Sequence, residues 1–228
     1  MLYPIPLLMH EASEIVINNR DWMTFVYLII FASLVLARLL FDRRLYENTT
    51  LFFSRKYLAI YFNREKRNTL TLFQSILIIP QILVIALLLT YVGNFIAPDK
   101  LLLTFPTFFN ISLGVGLYFG IRFLVGLAIS FVLNLRKMHN KIMYEKTSYF
   151  NNITLWILPF LVLTTYTPYY HEFNLKLTSI IFIVLVFIRY GLLIMNNKKL
   201  IISNLFYFIL YLCALEIVPL IILSKTTL

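Results

Sequence analysis

Six long apolar runs, separated by shorter polar or basic segments, dominate the chain. A helix needs about 20 mostly apolar residues to cross the ~30 Å hydrocarbon core of a bilayer. All six runs are close to that length or exceed it. They cover 22–41, 70–96, 110–135, 149–166, 177–195 and 200–223. The pattern therefore predicts an all-α, polytopic membrane protein with six transmembrane helices.

Composition favours the same class, because 61% of the residues are hydrophobic and the mean hydropathy is +0.84, whereas soluble domains are about 45–50% apolar. A net charge of +10 would suggest a nucleic-acid partner for a soluble protein. Here the basic residues gather in short loops, which membrane topology explains, and we expect no nucleic-acid partner. The chain is predicted to form an external N-terminal segment, 1–21, followed by one membrane domain, 22–228.

The basic residues also predict the orientation of the helices, since cytoplasmic loops carry an excess of Lys and Arg. With an external N-terminus, thirteen of these residues fall in inner loops: Arg43, Arg44, Arg55, Lys56, Arg64, Lys66, Arg67, Arg136, Lys137, Lys141, Lys146, Lys198 and Lys199. Only Arg20, Lys100, Lys176 and Lys225 fall outside. The expected topology is therefore N-out and C-out.

The longest inner loop, 42–69, is both basic and aromatic. Its cations are Arg43, Arg44, Arg55, Lys56, Arg64, Lys66 and Arg67, and the run LFFSRKYLAIYF at 51–62 is too short to span. One interpretation is an interfacial helix whose cations dock on anionic lipid headgroups or a partner. The other is an ordinary positive-inside loop with a buried connecting helix.

The third run carries two features that a lipid-facing helix would lack. Ser112, Gly116 and Gly120 recur every fourth residue, which is the small-residue stripe that lets two helix backbones approach closely. Arg122 lies on another face, one turn after Tyr118. Because both faces need protein around them, we expect residues 110–131 to form the central helix of the bundle.

The charges within the apolar runs predict an ion pair. Arg122 lies at mid-depth on the third helix, which runs inward, so its side chain leans toward the outer side of the membrane. Glu216 lies in the outer half of the sixth helix, which runs outward, so its side chain leans toward the inner side. An arginine at the bilayer centre costs about 2.5–3.5 kcal/mol on insertion scales, so it should have a partner. We predict an Arg122–Glu216 pair, with Arg189 as the competing partner of Glu216. Pro219 leaves the carbonyl of Leu215 without its helical donor, beside the pair.

Two roles are open for this polar centre. It could be a structural clasp between the third and sixth helices, or a polar floor for a substrate or proton route. Catalysis has less support, because His10, His139 and His171 fall in a tail and in loops on opposite sides of the membrane. No three-ligand metal site can be assembled from them, and we expect neither a metal nor a cofactor.

Three short segments resemble an uncharacterised family of bacterial integral membrane proteins from gliding and related envelope-rich bacteria. They are LCALEIVPLIIL at 212–223, Arg55-Lys56-Tyr57, and Arg20-Asp21-Trp22. The resemblance implies a multi-pass protein of the cytoplasmic (inner) membrane and no established activity.

Together these observations predict a non-enzymatic accessory or assembly subunit of a larger envelope complex. Its expected partners are anionic lipids and other membrane proteins. The alternative is a small transporter or lipid-handling protein that uses the Arg122/Glu216 centre, and a membrane enzyme ranks third.

Overall fold

The computed structural model describes residues 21–52, 58, 61, 72–98, 101–132, 136–167 and 170–198, and only the backbone at 129, 132 and 136–138. Six α-helices and no sheet are present in these residues. The helices are α1 (Asp21–Leu40), α2 (Asp42–Thr49), α3 (Leu72–Ile96), α4 (Phe105–Val132), α5 (Arg136–Tyr166) and α6 (His171–Asn196).

Four of these helices are long and apolar enough to cross a membrane: α1, α3, α4 over Phe105–Ala128, and α6. The predicted all-α membrane class is thus confirmed at the level of four candidate spans. The sixth predicted span, 200–223, lies outside the described residues, so the six-span count and the N-out/C-out topology stay predictions.

The helix α5 differs most from its predicted form. The basic segment 136–146, which the sequence suggested was a loop, forms the first turns of a single 31-residue helix. Two prolines of the second and fourth apolar runs, Pro80 and Pro159, lie inside the continuous helices α3 and α5. Neighbouring helices can satisfy the carbonyl groups that a proline leaves without a donor, which explains why prolines are tolerated in packed membrane helices.

The centre of the described bundle is α3, which packs against α1, α4 and α5. Half of its most apolar 18 residues are buried, whereas the corresponding figure for α4 is 6%. Among the described residues α4 therefore lies at the edge of the bundle, and the central position expected for 110–131, which depends on the sixth run outside those residues, stays a prediction. An apolar helix with one small-residue stripe can equally lie at the edge of a bundle, and the sequence pattern does not separate these positions.

Two hydrophobic clusters mark the two ends of the bundle. The first joins Tyr27 and Ile30 of α1 to Leu87 of α3 and Leu161 of α5. The second joins the other ends of the same helices, including Ala37, Phe73 and Tyr144, with Leu193 of α6. We call the end with the second cluster the α2 end, because α1 and α6 finish there and α3 begins there. The end with the first cluster is called the opposite end.

Candidate functional site

The opposite end contains a closed network of hydroxyl groups. The Oη atom of Tyr27 lies 3.1 Å from the carbonyl oxygen of Leu161 and 2.7 Å from Oγ1 of Thr165. Tyr91 donates to the same Oγ1 at 2.9 Å. Thr165 in turn donates to the Leu161 carbonyl at 2.9 Å. Each hydroxyl has a partner, so this network fixes α1, α3 and α5 relative to one another at little desolvation cost.

The α2 end buries charged and carboxamide side chains instead of hydroxyl groups alone. Asn197 donates to Oε2 of Glu145 at 2.6 Å, and Asn196 donates to the Tyr149 hydroxyl at 2.9 Å. Lys141 lies 3.9 Å from Oε1 of the same Glu145. The two asparagine bonds connect the end of α6 and the residue that follows it to the first half of α5.

Arg44 of α2 is buried at this end, with 5% of its surface exposed. Its guanidinium carbon lies 4.5 Å from the ring centre of Phe73 and 4.9 Å from that of Tyr61. Nη2 also donates to the Tyr144 hydroxyl at 3.4 Å. Stacking on aromatic rings is a favourable environment for arginine, and it turns Arg44 inward rather than toward lipid or a docking partner.

Arg189 of α6 is similarly buried, with 6% exposed. Its Nη2 donates to the carbonyl oxygen of Lys146 at 3.3 Å, and its guanidinium lies 4.8 Å from the ring centre of Phe150. The structure therefore places Arg189 against α5, in contact with backbone and aromatic groups of that helix.

Three buried asparagines of α2 and α5 form what we call the amide cluster: Asn48, Asn151 and Asn152. Their exposed fractions are 0%, 2% and 0%. Asn152 donates to the backbone carbonyl of Asn48, which joins α5 to α2. Within the described part of the chain, both carboxamide atoms of Asn48 and Asn151 and the oxygen of Asn152 have no hydrogen-bond partner.

The amide cluster is continuous with other polar groups on α5. Asn151 shares a helical face with Ser148 and Tyr144, three and seven residues earlier. Ser148 accepts a bond from Gln74 of α3 at 3.5 Å, and Tyr144 accepts the bond from Arg44. Oε2 of Glu47, next to Asn48, is buried without a hydrogen-bond partner in the described residues. The arrangement offers both donors and acceptors within one buried region.

The predicted Arg122–Glu216 centre can be located only in part. Nη1 of Arg122 lies 3.5 Å from the hydroxyl of Tyr118, one turn earlier on α4. Glu216 and Pro219 lie outside the described residues, so the ion pair stays a prediction.

The small-residue stripe on α4 is only partly covered in the described bundle. A Cβ at Gly116 would meet Cδ1 of Ile82 at 3.8 Å, whereas nothing lies within 4 Å of one at Gly120. Ser112 is half-buried. Of the predicted docking cations, Arg43 is exposed on α2. Arg55, Lys56, Arg64, Lys66 and Arg67 lie outside the described residues.

A close contact between α4 and α5 lies at the α2 end. A Cβ on Gly126 would stand 2.8 Å from Cε1 of the buried His139 ring. Burial of this ring, and then the nearby charge of Lys146, lower the pKa of His139 below its usual value of 6.5. In the residues that the structure describes, no group of three or more His, Cys, Asp and Glu side chains could hold a metal ion.

Sequence reasoning missed the amide cluster, although a signal for it was present. Ser148, Asn151 and Asn152 recur at spacings of three and four at the start of an otherwise apolar run. Polar groups with that spacing share one face of a helix, and within a membrane such residues face the protein interior.

The comparison with known families agrees with the resemblance seen in the sequence. Residues 23–226 match a family described as a domain of unknown function, DUF4271. No curated protein and no solved structure matches the chain. The matched segment covers all six described helices except the first residues of α1. The chain therefore belongs to the uncharacterised DUF4271 family.

Proposed function

We propose that the protein is a non-enzymatic accessory or assembly subunit of a larger complex in the bacterial inner membrane. The observation that carries this proposal is the exposure of α4 within the described part of the chain, where 6% of its most apolar stretch is buried. Among the described residues, nothing lies within 4 Å of a Cβ placed on Gly120. Small residues in membrane helices allow close backbone contact, which stabilises helix pairs that have no hydrophobic driving force between them.

In the proposed arrangement, the helices other than α4 form the scaffold. In it, α3 and α5 hold the bundle together, α4 contacts the partner, and the basic loop 42–69 rests on anionic lipid. The six-span, N-out/C-out topology belongs to this proposal, as does the Arg122–Glu216 clasp.

The test is recovery of a partner from native membranes in mild detergent, with a tagged chain. A Gly120→Leu variant should lower recovery of a stoichiometric partner about tenfold, because overpacking a close contact costs about 1–3 kcal/mol. Gly114→Leu is the matched control. Its Cβ also meets nothing within 4 Å, but Gly114 lies on a different face of α4. Equal recovery with Gly120→Leu and the unmodified chain would contradict the proposal.

A second candidate, a lipid-handling protein or small transporter, is favoured by the amide cluster. Five buried carboxamide atoms without hydrogen-bond partners in the described residues are costly in a purely structural core. Uptake of a polar compound or movement of lipid between leaflets of reconstituted vesicles, lost in Asn151→Leu, would support this function over the subunit role.

A further inference from the structure

The amide cluster contains five of the buried polar atoms that have no hydrogen-bond partner in the described residues. Asn48 and Asn151 each present an amide donor and a carbonyl acceptor, and Asn152 presents a carbonyl acceptor. All three side chains are at least 98% buried. Buried polar atoms are normally paired, and each exception costs about 1–3 kcal/mol of desolvation, so five in one region call for an explanation.

A bound ligand that bonds these atoms would explain them, and the charges around the amide cluster indicate what that ligand would contain. Arg44 lies one turn before Asn48, and both face the interior from α2. A guanidinium beside amide donors is a favourable environment for phosphate oxygens. The carboxamide oxygens and Oε2 of Glu47 are acceptors, and they call for a hydroxyl or ammonium donor on the same ligand.

The location is also consistent with a membrane interface. Trp156, 43% exposed, donates from Nε1 to the carbonyl oxygen of Thr49 at 3.3 Å. Tryptophan concentrates at the level of lipid headgroups. Asp42 and Arg43, at the start of α2, are exposed. The cluster therefore lies beneath a short helix at one end of an apolar bundle.

We propose that the amide cluster is an occluded binding site for a phosphate ester that also carries a hydroxyl or ammonium group. The phosphate accepts from Asn48 and Asn151, and the hydroxyl or ammonium donates to the carboxamide oxygens. Access requires α2 to move away from α5, which breaks the Asn152–Asn48 and Trp156–Thr49 hydrogen bonds. This inference does not depend on the subunit role.

Thermal unfolding in detergent micelles tests the site with two probes, phosphatidylglycerol and soluble glycerol 3-phosphate. A ligand at 100 times its dissociation constant should raise the midpoint by about 5 °C or more for a chain of this size. Stabilisation by the lipid alone identifies a headgroup site. Stabilisation by the soluble ester as well identifies a site for free phosphate esters.

The variants Asn48→Leu and Asn151→Leu should abolish this shift, since leucine has neither donor nor acceptor. Thr164→Val is the matched control, because Thr164 is equally buried but bonds Phe160 and Thr178 at the opposite end. It should keep the full shift. A chain that neither probe stabilises, or a shift that persists in both asparagine variants, would overturn the proposal.

Cysteine labelling provides a second measurement should the leucine variants fold poorly. In a Cys213→Ser background, which removes the one native cysteine, Asn151→Cys should react with a water-soluble maleimide at least tenfold faster than Ile153→Cys. Ile153 is as buried as Asn151 but belongs to the hydrophobic cluster. Phosphatidylglycerol or glycerol 3-phosphate should slow the reaction at residue 151. Equal rates at the two positions would show that residue 151 is no more accessible than the hydrophobic cluster and would also overturn the proposal.

Discussion

At the end opposite α2, buried hydroxyls bond one another and the backbone, whereas at the α2 end buried carboxamides lie beside two buried guanidiniums. The first arrangement uses Tyr27, Tyr91 and Thr165, each of which has a partner within 3.1 Å. The second leaves the carboxamides of Asn48 and Asn151 without partners in the described residues. A network that satisfies its members fixes one arrangement of helices, while an unsatisfied one favours any state that supplies the missing bonds.

This difference shows that buried polar groups in one bundle can either fix the helices or leave them responsive to a ligand. The opposite end should be rigid and sensitive to the loss of any hydroxyl. The α2 end should tolerate the loss of an amide and respond to ligand. Five substitutions or conditions test this comparison, from the largest expected effect to the smallest.

The largest effect is expected between the two ends, at Arg122. If Glu216 is its partner, Arg122→Leu should lower the free energy of unfolding by about 3–5 kcal/mol, because it leaves a charge buried without its counter-ion. Arg122→Leu combined with Glu216→Leu should recover most of that loss. Unfolding in detergent measures all three variants. Arg38→Leu, at an exposed position of α1, is the control and should stay within about 0.5 kcal/mol. Strict additivity of the two single effects would exclude the pair.

At the opposite end, Thr165→Val should lower the free energy of unfolding by about 1–3 kcal/mol. The substitution keeps the shape of the side chain but removes the group that bonds both Tyr27 and Tyr91. Thr154→Val is the matched control, since Thr154 is buried on the same helix and, among the described residues, bonds the carbonyl of Phe150, one turn earlier. Its effect should be smaller, and equal losses would show that the network contributes nothing beyond its single bonds.

The contact between α4 and α5 gives the next test. Gly126→Ala should lower the free energy of unfolding by about 1–2 kcal/mol, because the new Cβ would stand 2.8 Å from the His139 ring. Gly120→Ala should be neutral or stabilising by up to about 1 kcal/mol, since its Cβ meets no described residue within 4 Å and alanine favours the helix. Adding His139→Ala to Gly126→Ala should relieve the overlap. No difference between the two glycine variants would mean that α4 does not pack on α5 as described.

These expectations also show how far the sequence alone reaches. The apolar runs predicted α1, α3, α4 and α6, because length and hydropathy are enough to recognise a spanning helix. The first turns of α5 were missed because Arg136, Lys137, Lys141 and Lys146 look like a basic loop. Lysine, methionine and glutamate are nevertheless good helix formers, and Glu145 finds a partner in Asn197 only after α6 has packed.

The candidate site was less predictable than the fold. Arg44 and Asn48 belong to a short helix whose inward face depends on contact with Phe73 and Asn152, and no local pattern encodes that contact. Arg122, by contrast, stood out because a charge within an apolar run is visible without any structure.

At the α2 end, Asn151→Leu should have the opposite sign to Thr165→Val. Because the Asn151 carboxamide has no partner in the described residues, its replacement removes a desolvation cost of about 1 kcal/mol or more, and the larger leucine offsets part of that gain. We expect the free energy of unfolding, measured without added lipid, to be unchanged or to rise by about 1 kcal/mol. A loss as large as that of Thr165→Val would show that the two ends bury their polar groups in the same way.

The smallest effect is the pH dependence that His139 adds to the α2 end. Since burial lowers its pKa below 6.5, the folded protein binds fewer protons than the unfolded chain just below that pH. The free energy of unfolding that depends on neutral His139 is fully present above pH 6.5. It decreases as the pH falls, by at most about 1.4 kcal/mol per pH unit. Unfolding between pH 7.5 and 5.5 should show this loss in the unmodified chain and a flatter profile in His139→Gln. If the two profiles are parallel, the histidine is not excluded from water, and the packing of α5 against Gly126 must be looser than the structure shows.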